Sequence, residues 1–148
     1  MESQEIEIIA DLNCREIVPL NELDPKKVVK DLIGSGHEMI ILRGCLLDKF
    51  DNEIWIYSDD DIESLIISYI YLETIVGANN YEHGEFLNDG LLSFTAKCTN
   101  RIVNMELRYC PEINIVNLVV KQISLTSDEY LWWWRSIANA IYIIAKSI

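Results

Sequence analysis

Residues 92–109 read Leu92-Ser-Phe-Thr-Ala-Lys-Cys98-Thr-Asn100-Arg-Ile-Val103-Asn-Met-Glu-Leu-Arg-Tyr109, and this stretch decides the fold. Leu92, Phe94, Ala96 and Cys98 share one face of a first strand. Val103, Met105, Leu107 and Tyr109 share one face of a second, with Asn104, Glu106 and Arg108 opposite. A period of two marks half-buried strands. The short Thr99-Asn100 link makes them neighbours through a tight turn. Pro111-Glu112 then turns the chain into a third strand over 113–124. Its apolar face changes near Asn117, from Ile113 and Ile115 to Val116, Leu118 and Val120. One bulged residue accounts for such a change.

Beyond the meander the period becomes helical. Thr126-Ser127-Asp128-Glu129 fits a capping box, which starts a helix over 128–147. Leu131, Trp134, Ala138, Ile141, Ala145 and Ile148 recur as one apolar seam.

The same reading runs backwards to the N-terminus. Ser58-Asp59-Asp60-Asp61 opens a helix over 59–76, with Ser58 as cap and three acids at the positive end of the helix dipole. Its Ile and Tyr content keeps a strand as the alternative. Gly77-Ala78-Asn79-Asn80 ends it, and 79–90 reads as an acidic loop. Residues 5–10 alternate as a strand. Asp24-Pro25 begins a helix over 25–34 that buries Val28, Val29, Leu32 and Ile33, and Gly34 and Gly36 stop it. Met39-Ile40-Ile41-Leu42 is apolar on both faces, as a central strand is. Residues 53–57 form another strand, reached through a turn at 48–52. These elements predict an α+β fold: a mainly antiparallel sheet of about five to six strands with three helices, the long C-terminal helix packed on the sheet. A chain of 148 residues is expected to be a single globular domain over 1–148.

Charge is the strongest functional signal. No Lys or Arg lies between Lys49 and Lys97, while ten Asp and Glu do. Over 48–89 there are eleven acids and one base, so 1 − 11 gives −10 of the chain's −12. Such a field repels nucleic acid and anionic membrane and attracts basic partners. Half of the residues are hydrophobic, which fits a packed domain rather than an acidic tail. The acidic N-terminus has no apolar core of a signal peptide, and the apolar stretches 64–72 and 130–145 are too short to span a bilayer. The expected location is therefore the cytoplasm. Cys14, Cys45, Cys98 and Cys110 form no CxxC pair, so free thiols are expected, with a Cys98–Cys110 disulfide as the alternative.

No motif spells out a reaction. An EF-hand beginning at Asp59 would need glycine and glutamate where Ser64 and Ile70 stand. His37-Glu38 is not HExxH, because position 41 is Ile, and neither phosphate-cradling glycine motif nor nucleophile elbow occurs. His83 and Glu85 are the best material for an enzyme, yet two histidines leave little for a triad, and both read as exposed or turn residues. No catalytic residue, cofactor or metal ligand is therefore assigned. In Trp132-Trp133-Trp134, successive side chains point about 100° apart, so the three cannot share one core face. Trp134 is on the seam, Trp133 flanks it, and Trp132 falls with Arg135, Asn139 and Lys146 as a candidate interface anchor. Tyr69 fits the core, and Tyr81, beside Glu82, is the better candidate for exposure.

These features favour a protein-binding module over an enzyme. The expected partner surface comprises Asp48, Asp51, Glu53, Tyr57, Asp59, Asp60, Asp61, Tyr81, Glu82, Glu85, Asp89 and Trp132. A small, acidic α+β chain without catalytic motifs resembles the immunity proteins of bacterial contact-dependent growth inhibition and related polymorphic toxin systems. The resemblance implies a partner that is a cationic toxin domain, a nuclease first, whose phosphate-binding groove an acidic face would cover. An acidic secretion chaperone, or a non-catalytic dimeric interaction domain using the Trp-rich helix, is the alternative. A homodimer stays open.

Overall fold

A computed structural model describes residues 4–9, 17–34, 37–43, 54–56, 59–87, 92–109 and 119–146. The chain divides into two compact units, one formed by Met1–Thr74 with Leu131–Ile148 and the other by Ile75–Tyr130. Among the described residues the architecture is α+β, with three helices and two sheets.

In the first unit, β1 (Gln4–Ile9), α1 (Pro25–Gly34) and β2 (His37–Arg43) form a strand–helix–strand crossover, so β1 and β2 pair in parallel. β3 (Ile54–Ile56) pairs antiparallel with the other edge of β2, which makes β2 central as its apolar sequence predicts. Asp24 starts α1: its Oδ1 accepts the Lys26 amide at 3.1 Å and the Lys27 amide at 3.5 Å. Val28, Val29 and Leu32 are buried, whereas Ile33 is only half-buried. Helix α2 (Asp59–Thr74) confirms the helical reading over the strand alternative, and Gly77, at φ +91, lies in the turn that follows. Helix α3 (Ser127–Lys146) buries Trp133, Trp134, Ile137, Ala138, Ile141 and Ala145. Leu131 of the expected seam is half-buried.

The second unit is a four-stranded antiparallel meander: β4 (Tyr81–Leu87), β5 (Leu92–Thr99), β6 (Ile102–Tyr109) and β7 (Val119–Thr126). Phe94, Ala96, Cys98, Val103, Met105, Leu107, Ile123 and Leu125 form its buried face. The β5–β6 turn is Asn100-Arg101 rather than Thr99-Asn100, because Thr99 already pairs with Ile102. Both turn residues have positive φ, 51° and 67°, as a type I′ hairpin requires. The Arg101 amide donates to Asn79 O at 2.9 Å, and the Arg101 carbonyl accepts the Ser127 amide at 2.8 Å. The capping box is present: Glu129 N–H donates to Thr126 Oγ1 at 3.1 Å, and Thr126 N–H to Glu129 Oε1 at 3.0 Å.

Two expectations are corrected. Among the described residues a single sheet of five to six strands is not observed: the antiparallel sheet has four strands there, and β1, β2 and β3 form a separate sheet. β2 spends both edges on β1 and β3, while among the described residues β4–β7 pair only with their sequence neighbours. The acidic stretch 79–90 is not a loop. Its residues 81–87 are β4, paired with β5 along their length from Tyr81 opposite Cys98 to Leu87 opposite Leu92. The turn at 48–52, the Ser58 cap, the bulge near Asn117, and Cys14, Cys45, Cys110 and Ile148 lie outside the described residues. Cys98 is a buried free thiol, 3.4 Å from Asn79 O.

Candidate functional site: acidic surfaces of α2 and β4

Helix α2 buries Ile62, Leu65, Ile66, Tyr69 and Leu72 on one side. The residues between them are nonetheless apolar enough to leave a second stripe. Ile67 and Tyr71, four apart and so on one face, are 49% and 42% exposed. Glu63, four residues before Ile67, is half-buried on the same stripe, and Asp59, Asp60 and Asp61 form the first turn of the helix. The Glu63 carboxylate, one helical turn from exposed Ile67, suits a partner that offers Lys or Arg beside apolar surface.

The opposite flank of α2 carries a polar network. Glu73 accepts two hydrogen bonds from Arg135 of α3, at 3.1 Å from Nε and 2.9 Å from Nη2, and a third from the Tyr69 hydroxyl at 2.6 Å. The ion-paired side chains are nearly covered, Arg135 at 13% and Glu73 at 8% exposure. Burial, then the hydrogen bond and charge of Glu73, push the Tyr69 phenol well above its usual range. The same Arg135 guanidinium lies over the Trp132 ring, 4.4 Å from its centroid. Trp132 is therefore half-buried and engaged within its own chain, not a bare anchor.

Strand β4 is an edge of the meander with two unlike rows. Tyr81, His83 and Glu85 lie opposite Cys98, Ala96 and Phe94, on the core side of the sheet, and all three are half-buried. His83 Nδ1 is 3.3 Å from the hydroxyl of fully buried Tyr130. Burial holds the His83 imidazole below its ordinary value, which favours the neutral ring. His83 is thus a strand residue tied into the core side, where the sequence suggested an exposed or turn histidine. The outer row is Glu82, Gly84 and Phe86. Glu82 faces Lys97 at 3.8 Å in an exposed pair, and Phe86 is 73% exposed, the most exposed large hydrophobic side chain among the described residues.

The expected partner surface is divided by the two units. Asp59, Asp60 and Asp61 belong to the first, as does Trp132, and Tyr81, Glu82 and Glu85 belong to the second. Asp48, Asp51, Glu53, Tyr57 and Asp89 lie outside the described residues. Sequence reasoning missed Ile67, Phe86 and the Glu73–Arg135 pair. The spacing of Ile67 and Tyr71, opposite the buried face of α2, was the available signal for the first. Among the described residues no group of three His, Cys, Asp or Glu side chains is arranged to hold a metal ion, and no helix is long and apolar enough to cross a membrane. No protein-family model matches the chain, and no curated protein or solved structure is significantly similar to it.

Proposed function

We propose that this chain is an acidic protein-binding inhibitor, an immunity protein that acts in the cytoplasm and neutralises a cationic toxin domain, a nuclease foremost. It would do so by covering the toxin's active site or an adjacent surface. The observation that carries this reading is the outward stripe of α2. There Ile67 and Tyr71 stand exposed behind a first turn of three aspartates, inside a segment without Lys or Arg. A nuclease groove is positive because it holds phosphate. An acidic face fills it and excludes substrate, and charge complementarity raises the association rate by about 10–10³-fold. Ile67 and Tyr71 supply the apolar contact that slows dissociation.

The alternatives, an acidic secretion chaperone or a non-catalytic dimeric domain, place the contact on α3. Support for them is thinner there, since Trp133 and Trp134 are buried and Trp132 lies under Arg135.

A tagged copy in lysate of the native organism tests the proposal. It should retain a basic domain, best at low salt, and the double variant Ile67→Ala/Tyr71→Ala should release it while keeping its circular dichroism. Recovery of the bait alone, or of a partner held equally at high salt, overturns the reading.

A further inference from the structure

We infer that the groove between α1 and α2 binds a small apolar zwitterion, its carboxylate held by Lys26 and Lys30 and its ammonium by Glu63. The two helices pack on one another inside the first unit. Between them lies a groove of about 470 Å³, lined by Lys26, Val29, Lys30, Ile33 and Gly34 of α1 and by Glu63 of α2. Small-molecule sites have volumes of about 300–1,000 Å³, so the groove is large enough for one. Positions 26, 29, 30 and 33 follow the i, i+3, i+4, i+7 pattern and therefore form one stripe of α1. Buried Val29 and half-buried Ile33 give that stripe its apolar surface, and exposed Lys26 and Lys30, one turn apart, give it two positive charges. Half-buried Glu63 brings the opposite sign from α2.

The charges of the lining choose the ligand. Among the described residues none of Lys26, Lys30 and Glu63 enters an ion pair, so two cations and one anion are on offer beside apolar surface. A ligand that answers all three has an anionic group, an apolar body and a cationic group. A plain anion leaves Glu63 unanswered, and a plain cation meets two lysines. Packed helix axes lie about 8–10 Å apart, so the two charges of the ligand must be well separated. An α-amino acid carries both on one carbon and is too compact. An ω-amino acid, or a short apolar peptide with free termini, has the required span. The chain is acidic overall, yet Lys26, Lys27 and Lys30 place three of its twelve bases within five residues, and Asp24 and Asp31 do not line the groove. A carboxylate is therefore drawn to α1 rather than to the acidic stretch 48–89. Ile67 and Tyr71, which carry the proposed function, take no part here, and only Glu63 is common to both surfaces.

The test titrates the full chain with ω-aminooctanoate and with trileucine, following backbone amide chemical shifts. Octanoate and octylamine are the single-charge controls. The expected result is saturable shifts in α1 and at Glu63, with a dissociation constant of about 1 mM or lower for at least one zwitterion. Octanoate and octylamine should bind about threefold more weakly or worse. Glu63→Gln should bring ω-aminooctanoate down to the level of octanoate, and Lys26→Gln/Lys30→Gln should bring it down to that of octylamine. Gly34→Leu fills the groove without disturbing the fold, because a Cβ at position 34 meets nothing within 4 Å. It should weaken both zwitterions about tenfold by taking up the space they need, with an unchanged urea midpoint. Tighter binding of trileucine than of ω-aminooctanoate supports a peptide as the source of the zwitterion, and the reverse order supports a free amino acid. Absence of saturable shifts in α1 with both zwitterions overturns the inference. So does octanoate or octylamine binding as tightly as the zwitterions, or full binding by folded Gly34→Leu.

Discussion

Replacing Arg135 by Met should be among the most damaging single changes in the chain. The substitution keeps the aliphatic length and removes the guanidinium that gives Glu73 two of its three hydrogen bonds. Glu73 is 8% exposed, so water can do little to replace them. Breaking a buried pair from one side costs about 3–5 kcal/mol, because an uncompensated charge is left inside. Against a total stability of about 5–15 kcal/mol, that is about a fifth or more. With an m-value of about 2 kcal/mol/M in urea, the midpoint should fall by about 2 M. The triple variant Tyr69→Phe/Glu73→Leu/Arg135→Met removes every polar partner together and strands none of them. It should recover to within about 1–2 kcal/mol of the wild type, since apolar replacement of a whole buried pair is often neutral or better. Urea titrations of the wild type, the single and the triple variant, each with its m-value, decide the matter. A single-variant cost below about 1 kcal/mol would place the pair in the class of surface salt bridges and refute the reasoning. A triple variant as damaged as the single would refute it equally.

Three further outcomes are expected. The raised phenol of Tyr69 stabilises the fold only while protonated, so its contribution is complete below pH 10.0 and is lost as pH rises above that value; Tyr69→Phe should flatten this part of an alkaline urea series, and an unchanged slope would contradict it. His83 is depressed by burial, so the neutral ring favours the fold above pH 6.5 and its contribution is lost as pH falls below it; the wild type should lose stability over that acid range and His83→Gln should lose less, as midpoints at stepped pH would show. Arg101→Gly should raise stability by about 0.5–1 kcal/mol, because a glycine takes the positive φ of the turn without strain and the exposed Arg101–Asp128 pair at 3.4 Å contributes little; a lower melting temperature would contradict this.

Local chemistry explains which elements were legible. Asp24 before Pro25, and Thr126 with Glu129, satisfy amides within three residues of themselves, so a short window of sequence contains the whole cause. The alternation of β5 and β6 is likewise local. β4 was hidden because Tyr-Glu-His-Gly-Glu has poor strand propensity, and only pairing with β5 makes it extended. The separation of the sheets was hidden for a related reason: strand patterns state that a residue is in a strand, not which strand it meets. The charge of the candidate surface was legible as composition. Its geometry was not. Ile67 looks like a core residue until the buried side of α2 is known, and Glu73 finds Arg135 across 62 residues with no sequence signal. Trp132 shows the opposite error, since the charge beside it in sequence is the group that covers it.

Growth rescue tests the central claim most directly. The basic domain captured by the tagged chain is expressed alone and then together with this protein in the same cells. The account predicts that the domain alone arrests growth, that the wild-type chain restores it, and that folded Ile67→Ala/Tyr71→Ala does not. A captured domain that is harmless, or one whose toxicity persists although the complex forms, would contradict it.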